Sequence, residues 1–186
     1  MSHMGRNRAE RESDELEQIS TAMAREDVDV DPADYLYLAY LTRLGRAIER
    51  IGQRHCLARY GVPFSDMRLL FALRRAGPPH AMRPTELFRA LLVTSGAITK
   101  QVDRLAAAGL VERLPDPSHG GAFLIRMTGR GRTVAEAGFR SLVALYAERI
   151  HLSQRERRRL AKLCEKLLAD VNRFLGDPAL DVESAA

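Results

Sequence analysis

Apolar residues recur at spacings of three and four along most of the chain, and the breaks in that rhythm mark where helices end. In residues 11–25, Leu16, Ile19 and Met23 form a narrow stripe that predicts a short amphipathic helix, stable only against a partner surface. From Ala33 to Tyr60, Leu38, Leu41, Leu44, Ile48 and Ile51 keep helical spacing over a length that predicts packing against another subunit or a long companion. Gly61 and Pro63 end that helix. Met67, Leu70, Phe71 and Leu73 predict a core helix over 64–75, stopped by Gly77-Pro78-Pro79. Helices over 84–91 and 94–108 follow across a short turn, with Pro84 near the start of the first and Thr94 placed to cap the second.

After Gly109 the period changes from helical to alternating. LVERL and AFLIRM flank the loop run PDPSHGG and predict a β-hairpin over 110–127. Thr128 starts a helix reaching to Ile150, and Ser153-Gln154-Arg155-Glu156 has the S-x-x-E form of a capping box that opens the last one. There Leu160, Leu163, Cys164, Leu167, Leu168 and Val171 make a wide apolar face, while Arg155, Arg157, Arg158, Arg159, Lys162 and Lys166 fill much of the remainder. The expected fold is mainly α with a small β-hairpin wing: a winged helix-turn-helix domain with long N- and C-terminal dimerisation helices. Residues 1–31 are expected to be a cloning remnant (Met1 to His3) plus an acidic leader with a short helix. Residues 32–60 and 128–175 are assigned to a helical dimerisation region, 61–127 to a DNA-binding domain, and 176–186 to a flexible tail.

Charge changes this picture in one respect. Residues 1–34 hold four Arg against ten Asp or Glu and carry −6, so the remainder carries +11 of the net +5. A basic body favours a polyanionic partner, because neutralising phosphates releases condensed counterions. No apolar run is long enough to span a bilayer and no signal-peptide core opens the chain, so the expected compartment is the cytoplasm, with no membrane partner. Cys56 and Cys164, the only cysteines, fit packed thiols better than a disulfide scaffold.

The chemistry concentrates in TSGAITKQVDRLAAAG. Ile98, Val102 and Leu105 are expected to face the core, while Ser95, Thr99, Lys100, Gln101 and Arg104 supply donors on the other faces. Such a helix suits a major groove, where Lys and Arg reach guanine or phosphate, Gln reads adenine, and hydroxyls bond bases or phosphates. A solvated amphipathic helix would show the same face, and the ordered combination of short helix, turn, helix and Gly-rich hairpin decides between them.

The stretch from VTSGAITKQVDRLAAAGLVERLPDP to LIRMTGRGR resembles the signature of the MarR family of winged-helix regulators. Gly77-Pro78-Pro79 and Pro84-Thr85-Glu86-Leu87 extend the likeness, and the leader before Asp31-Pro32 resembles the PecS and urate-responsive branch. The resemblance implies a homodimer built from terminal helices, recognition helices in successive major grooves of a pseudo-palindromic operator, and wings at minor grooves. It also implies release by a small molecule bound near the junction between dimer and DNA-binding regions. Many members carry Asp-x-Arg at the wing tip, where this chain has His119-Gly120-Gly121. Gly120 and Gly121 therefore take the wing-tip positions, and the expectation is either a more mobile wing, since paired glycines give no side-chain anchor, or phosphate binding by the neighbouring Arg113 and Arg126 instead. The urate-responsive branch places a Trp in the leader and an Asp early in the helix after the first long one. This chain has no Trp and has Arg68 at the second position, so urate is not carried over, and Arg68 is either a partner for the carboxylate of another effector or a surface or ion-pair residue.

Cys56 is the candidate for oxidant sensing, with Arg54, His55 and Arg59 as the source of a field that would favour its thiolate, set against packing as the usual fate of a free thiol. The histidines are too scattered for a metal motif, and no nucleophile elbow, P-loop or paired-carboxylate signature is present. The expectation is a ligand-responsive DNA-binding repressor with no cofactor, no metal and no catalysis. Its rival is a winged-helix module that holds a protein partner and binds DNA weakly.

Overall fold

The computed structural model describes residues 31–118 and 121–176, together with residues 14, 17–19, 21, 22 and 25 of the leader. Residues 1–142 and 143–186 form two compact units. In the first, the described leader residues are helical, while Leu16 and Met23 of the predicted apolar stripe lie outside the described residues. Helix α1 (Pro32–Tyr60) is capped by Asp31, whose Oδ1 accepts the Ala33 N–H at 2.8 Å, and it ends at Gly61 with φ 64°. That left-handed conformation suits glycine, and the Gly61 N–H donates to the Leu57 carbonyl at 3.1 Å.

Helix α2 (Phe64–Arg75) begins where the Phe64 N–H donates to Gln53 Oε1 of α1 at 2.8 Å. Its inner face, Met67, Leu69, Leu70 and Leu73, is the centre of the core and meets Leu87 of α3 (Pro84–Leu91) and Ile98, Val102 and Leu105 of α4 (Ser95–Ala107), all buried. A polar seam ties α1 to α5 (Gly129–Arg149): His55 Nε2 and Tyr60 Oη each lie 2.9 Å from Ser141 Oγ. α5 runs from the first unit into the second, which also holds α6 (Gln154–Leu175). The Ser153–Glu156 capping box forms as predicted, with Glu156 Oε2 accepting the Ser153 N–H at 2.8 Å.

The hairpin strands β2 (Val111–Pro115) and β3 (Phe123–Met127) pair antiparallel with Arg113 opposite Ile125. The sheet has a third strand, β1 (Ala81–Met82), in the order β1-β3-β2. Two residues cannot display an alternating pattern, so β1 is invisible to periodicity and exists because Ala81 and Met82 pair with Arg126 and Ile125. The β2–β3 turn is described only in part, since residues 119 and 120 lie outside the described residues. Among the described residues no helix is long and apolar enough to cross a membrane.

Candidate nucleic-acid interface

The helix-turn-helix is built from short-range hydrogen bonds. At its entry the Arg83 N–H donates to Glu86 Oε2 at 2.7 Å, closing the first turn of α3. Leu92 turns into the left-handed region (φ 53°), and two residues later Thr94 Oγ1 accepts the Ala97 N–H at 3.3 Å to start α4. Only Leu92 to Thr94 separate the helices, which fixes the orientation of α4 on the core.

The structure sorts the predicted contact residues into three groups. Ser95, Thr99 and Lys100 lie on the exposed face of α4, and Lys100 makes no ion pair among the described residues. Gln101 is a correction: it is 6% exposed and its Oε1 is buried without a hydrogen-bond partner. Ile98, Gln101, Val102 and Leu105 share the i, i+3, i+4, i+7 face, so helical geometry turns Gln101 inward, away from the exposed face of α4.

Arg104 is the second correction in role. Its Nε and Nη2 donate to Oδ2 and Oδ1 of Asp66 at 2.8 and 2.6 Å, a bidentate clamp on a carboxylate that is 1% exposed. Sequence reading missed Asp66, although a carboxylate among Met67, Leu69, Leu70 and Leu73 on a core helix demands a cationic or hydrogen-bonding partner. Arg104 therefore anchors α4 to α2, and donating hydrogen bonds to the Asp66 carboxylate holds its guanidinium more firmly protonated than usual.

In the wing, Arg113 Nη2 lies 2.5 Å from Asp103 of α4 and its guanidinium stacks 5.8 Å from the Phe123 ring. Arg126 pairs with Glu112 at 2.8 Å. Both pairs are surface pairs worth little in water, so a phosphate can displace either carboxylate. Gly121 adopts φ 78°, a conformation favouring glycine, while Gly120 lies outside the described residues.

The base of the wing carries an anchor that sequence reading passed over. Asp116 is buried and accepts from Arg83 Nε at 2.6 Å, from the Ser118 N–H at 2.9 Å and from Ser118 Oγ at 2.6 Å. The signal was the Asp-Pro-Ser turn itself, since an Asp that accepts the N–H two residues on closes an Asx-turn. The Arg83 and Ser118 hydrogen bonds hold the Asp116 carboxyl well below the usual carboxylate range. A depressed folded-state value means the stabilisation is complete above the ordinary Asp value of about 4 and is lost as pH falls below it. Asp116→Asn is thus expected to lower the melting temperature at pH 7 and to flatten its fall between pH 5 and 3. An unchanged acid limb in the thermal melts would remove Asp116 as the wing's anchor.

A cavity of about 750 Å³ opens in the first unit between α2, the α2–β1 loop, α3 and α5. Phe71 and Phe139 meet edge to face at 5.7 Å, and the Arg74 guanidinium lies 5.4 Å from the Phe139 ring centroid. Arg68, Arg75 and Arg132 also line it, against one carboxylate, Glu136, whose pKa is lowered chiefly by its hydrogen bond from Arg132. His80 also lines it, and its Nδ1 is buried without a partner. Arg68 pairs with Glu49 at 2.8 Å and donates to the Leu91 carbonyl at 3.2 Å, at the last residue of α3. The arrangement suits a planar anion: aromatic edges for a ring and cations for its charge.

Cys56 does not fit the sensing expectation. It is 0% exposed, and burial pushes its thiol pKa up, away from the reactive thiolate. Arg54 and Arg59 are exposed on α1 while Cys56 points into the core, so sequence neighbours do not make the field imagined for it.

The family model described as MarR family matches residues 60–120. The regulator PecS of Dickeya dadantii is 30% identical over 107 residues, covering 58% of this chain and 63% of that protein. The multiple antibiotic resistance protein MarR of Salmonella typhimurium is 31% identical over 99 residues, 50% of this chain and 67% of that relative. The chain thus spans a little under two thirds of PecS and two thirds of that MarR protein. Among solved structures, a mutant MarR from E. coli complexed with operator DNA superposes with a TM-score of 0.57 at 27% identity, over 71% of this chain and 96% of that one.

Proposed function

The chain belongs to the MarR family, and from that membership we propose that it is a homodimeric regulator of transcription that binds duplex DNA sequence-specifically and leaves it when an anionic effector binds. The observation that carries the reading is the division of α4: an inner face locked into the core, and an outer face with Ser95, Thr99 and Lys100 exposed. A rigid helix held through a three-residue turn presents donors to base edges without further backbone ordering on docking. The operator complex of the E. coli relative supports the same use of the fold. The leader helix and the PecS likeness favour the PecS branch.

Dimerisation is supported by apolar side chains left exposed within each unit: Tyr37, Leu38, Leu41 and Leu44 on α1, and Leu160, Leu163, Leu168 and Val171 on α6. Stripes of this length are costly in water and call for a second copy. We assign residues 61–127 to DNA binding and the terminal helices to assembly.

The cavity supplies the release mechanism. Arg68 bonds the carbonyl of Leu91, one residue before the left-handed turn into α4. An aromatic carboxylate seated in the cavity against Phe71 and Phe139 competes for Arg68, loosening the end of α3 and favouring a conformer in which α4 no longer fits its groove. Release requires only that the effector bind that conformer more tightly.

The test is a mobility-shift titration with the variant Lys100→Ala. Losing one groove-facing cation is expected to weaken binding of the specific duplex by about 1 to 3 kcal/mol, roughly five- to 150-fold, with no change in melting temperature. Wild-type operator affinity in a fully folded Lys100→Ala protein would contradict the placement of the interface.

A further inference from the structure

Helix α6 carries a second electrostatic feature that the DNA-reading face does not use. At 100° per residue, Arg155, Arg158, Arg159, Lys162, Lys166 and Arg173 fall within an arc of about 100°, forming a ridge about 27 Å long. All six are exposed. Among the described residues Arg173 pairs with Asp170, whereas the other five make no ion pair. In the first unit Arg68, Arg104, Arg113, Arg126 and Arg132 each hold a carboxylate, whereas on α6 these five cations lie together on one helix face.

The ridge is also placed against its own helix's interest. Arg155, Arg158 and Arg159 crowd the first turns, where the macrodipole disfavours cations, and Glu156 is the only acid in the first turn, committed to the Ser153 cap. Like charges at i, i+4 add repulsion between Arg155 and Arg159, Arg158 and Lys162, and Lys162 and Lys166. Such a cost is met when an anion lies along the ridge.

We propose that this ridge is a sequence-independent binding surface for the phosphate backbone of duplex DNA, separate from the contacts made by α4. Three observations select that partner. The apolar stripe of Leu160, Leu163, Leu167 and Val171 lies roughly 140° around the helix from the ridge, and in the proposed dimer it is covered by a second copy, which leaves no apolar face on α6 to enter a bilayer beside the ridge. The ridge has no aromatic side chain on which unpaired bases would stack, which disfavours single strands. Three of its five unpaired cations are arginines, whose forked donors match phosphate oxygens. The proposal rests on the reading that the chain is a duplex-binding protein, but not on where the sequence-specific contacts lie.

The test uses the full chain and a variant with Arg155→Gln, Arg158→Gln, Arg159→Gln and Lys162→Gln, measured by fluorescence anisotropy on a scrambled duplex across a salt series. The variant is expected to bind the scrambled duplex at least about tenfold more weakly at low salt, with the slope of log K against log salt reduced by about 2 to 4. Its preference for a selected operator over the scrambled duplex should be unchanged. Removing cations from the first turns relieves the dipole, so its melting temperature is expected to hold or rise, which separates the result from unfolding. Identical scrambled-duplex affinity and slope in the two proteins would overturn the proposal, as would binding lost on phosphatidylserine vesicles and kept on duplex. If the wild type shows no operator preference yet the ridge variant still loses scrambled-duplex affinity, the ridge stands and the sequence-specific reading falls.

Discussion

Arg104→Ala is expected to destabilise the fold by about 3 kcal/mol, because it leaves a carboxylate buried in the core without its counter-charge. Asp66 is 1% exposed, and with Arg104 gone its remaining side-chain hydrogen bond is the 3.2 Å contact from Ser65 Oγ. The figure sits at the lower end for a broken buried pair because the Arg104 side chain is itself 51% exposed, so water reaches part of the vacated space. For a chain of this size the melting temperature should fall by about 6 to 12 °C. Adding Asp66→Asn to Arg104→Ala is expected to restore part of the loss, since the stranded charge is then absent, with a coupling of about 1 to 3 kcal/mol in the double-mutant cycle. Arg104→Ala will also weaken DNA binding, but through a loosened α4. A melting temperature within a degree of wild type, together with lost operator affinity, would make Arg104 a direct DNA contact after all.

The second large effect comes from a glycine. Replacing a helical glycine by alanine ordinarily stabilises by about 1 kcal/mol. At Gly131 the sign reverses, because an added Cβ would stand 2.0 Å from the Leu110 carbonyl oxygen and 2.9 Å from Met127 Cγ. The obstructing atom is backbone and already accepts the Thr128 N–H at 3.1 Å. The start of α5 cannot retreat without losing that bond and the Thr128 cap, whose Oγ1 accepts the Gly131 N–H at 3.0 Å. Gly131→Ala is therefore expected to cost about 3 kcal/mol or more, with loss of the docking between α5 and the hairpin. Gly129→Ala is the matched control: nothing lies within 4 Å of its added Cβ, so it should be neutral or stabilising in the same thermal melts. Equal melting temperatures for the two variants would contradict the close approach at Gly131.

These effects also show what a one-dimensional reading sees. Helices α2 and α3 and the Ser153 capping box were legible because apolar spacing, Pro84 and Ser-x-x-Glu are local signals. Strand β1 was not, because it depends on pairing with residues more than forty positions away. On α4 the outward set was legible in part. Polar identity put Gln101 outside, whereas helical geometry places it with Ile98, Val102 and Leu105 on the core side. Arg104 was read as a DNA ligand because its partner lies 38 residues earlier on another helix. The clue was at that partner: an aspartate on the buried face of an apolar helix needs a cation from somewhere. Cys56 failed for the converse reason, since residues adjacent in sequence on a helix point in different directions.

The central claim is that the exposed face of α4 reads base sequence as part of a symmetric dimer. The measurement that tests it most directly is selection of genomic DNA fragments by the purified protein, followed by alignment of the bound pool. The account predicts an enriched pseudo-palindrome whose half-sites lie about one helical turn, 10 to 10.5 base pairs, apart, bound far more tightly than a scrambled duplex of the same length. A pool with no enriched motif, or equal affinity for selected and scrambled duplexes, would contradict it.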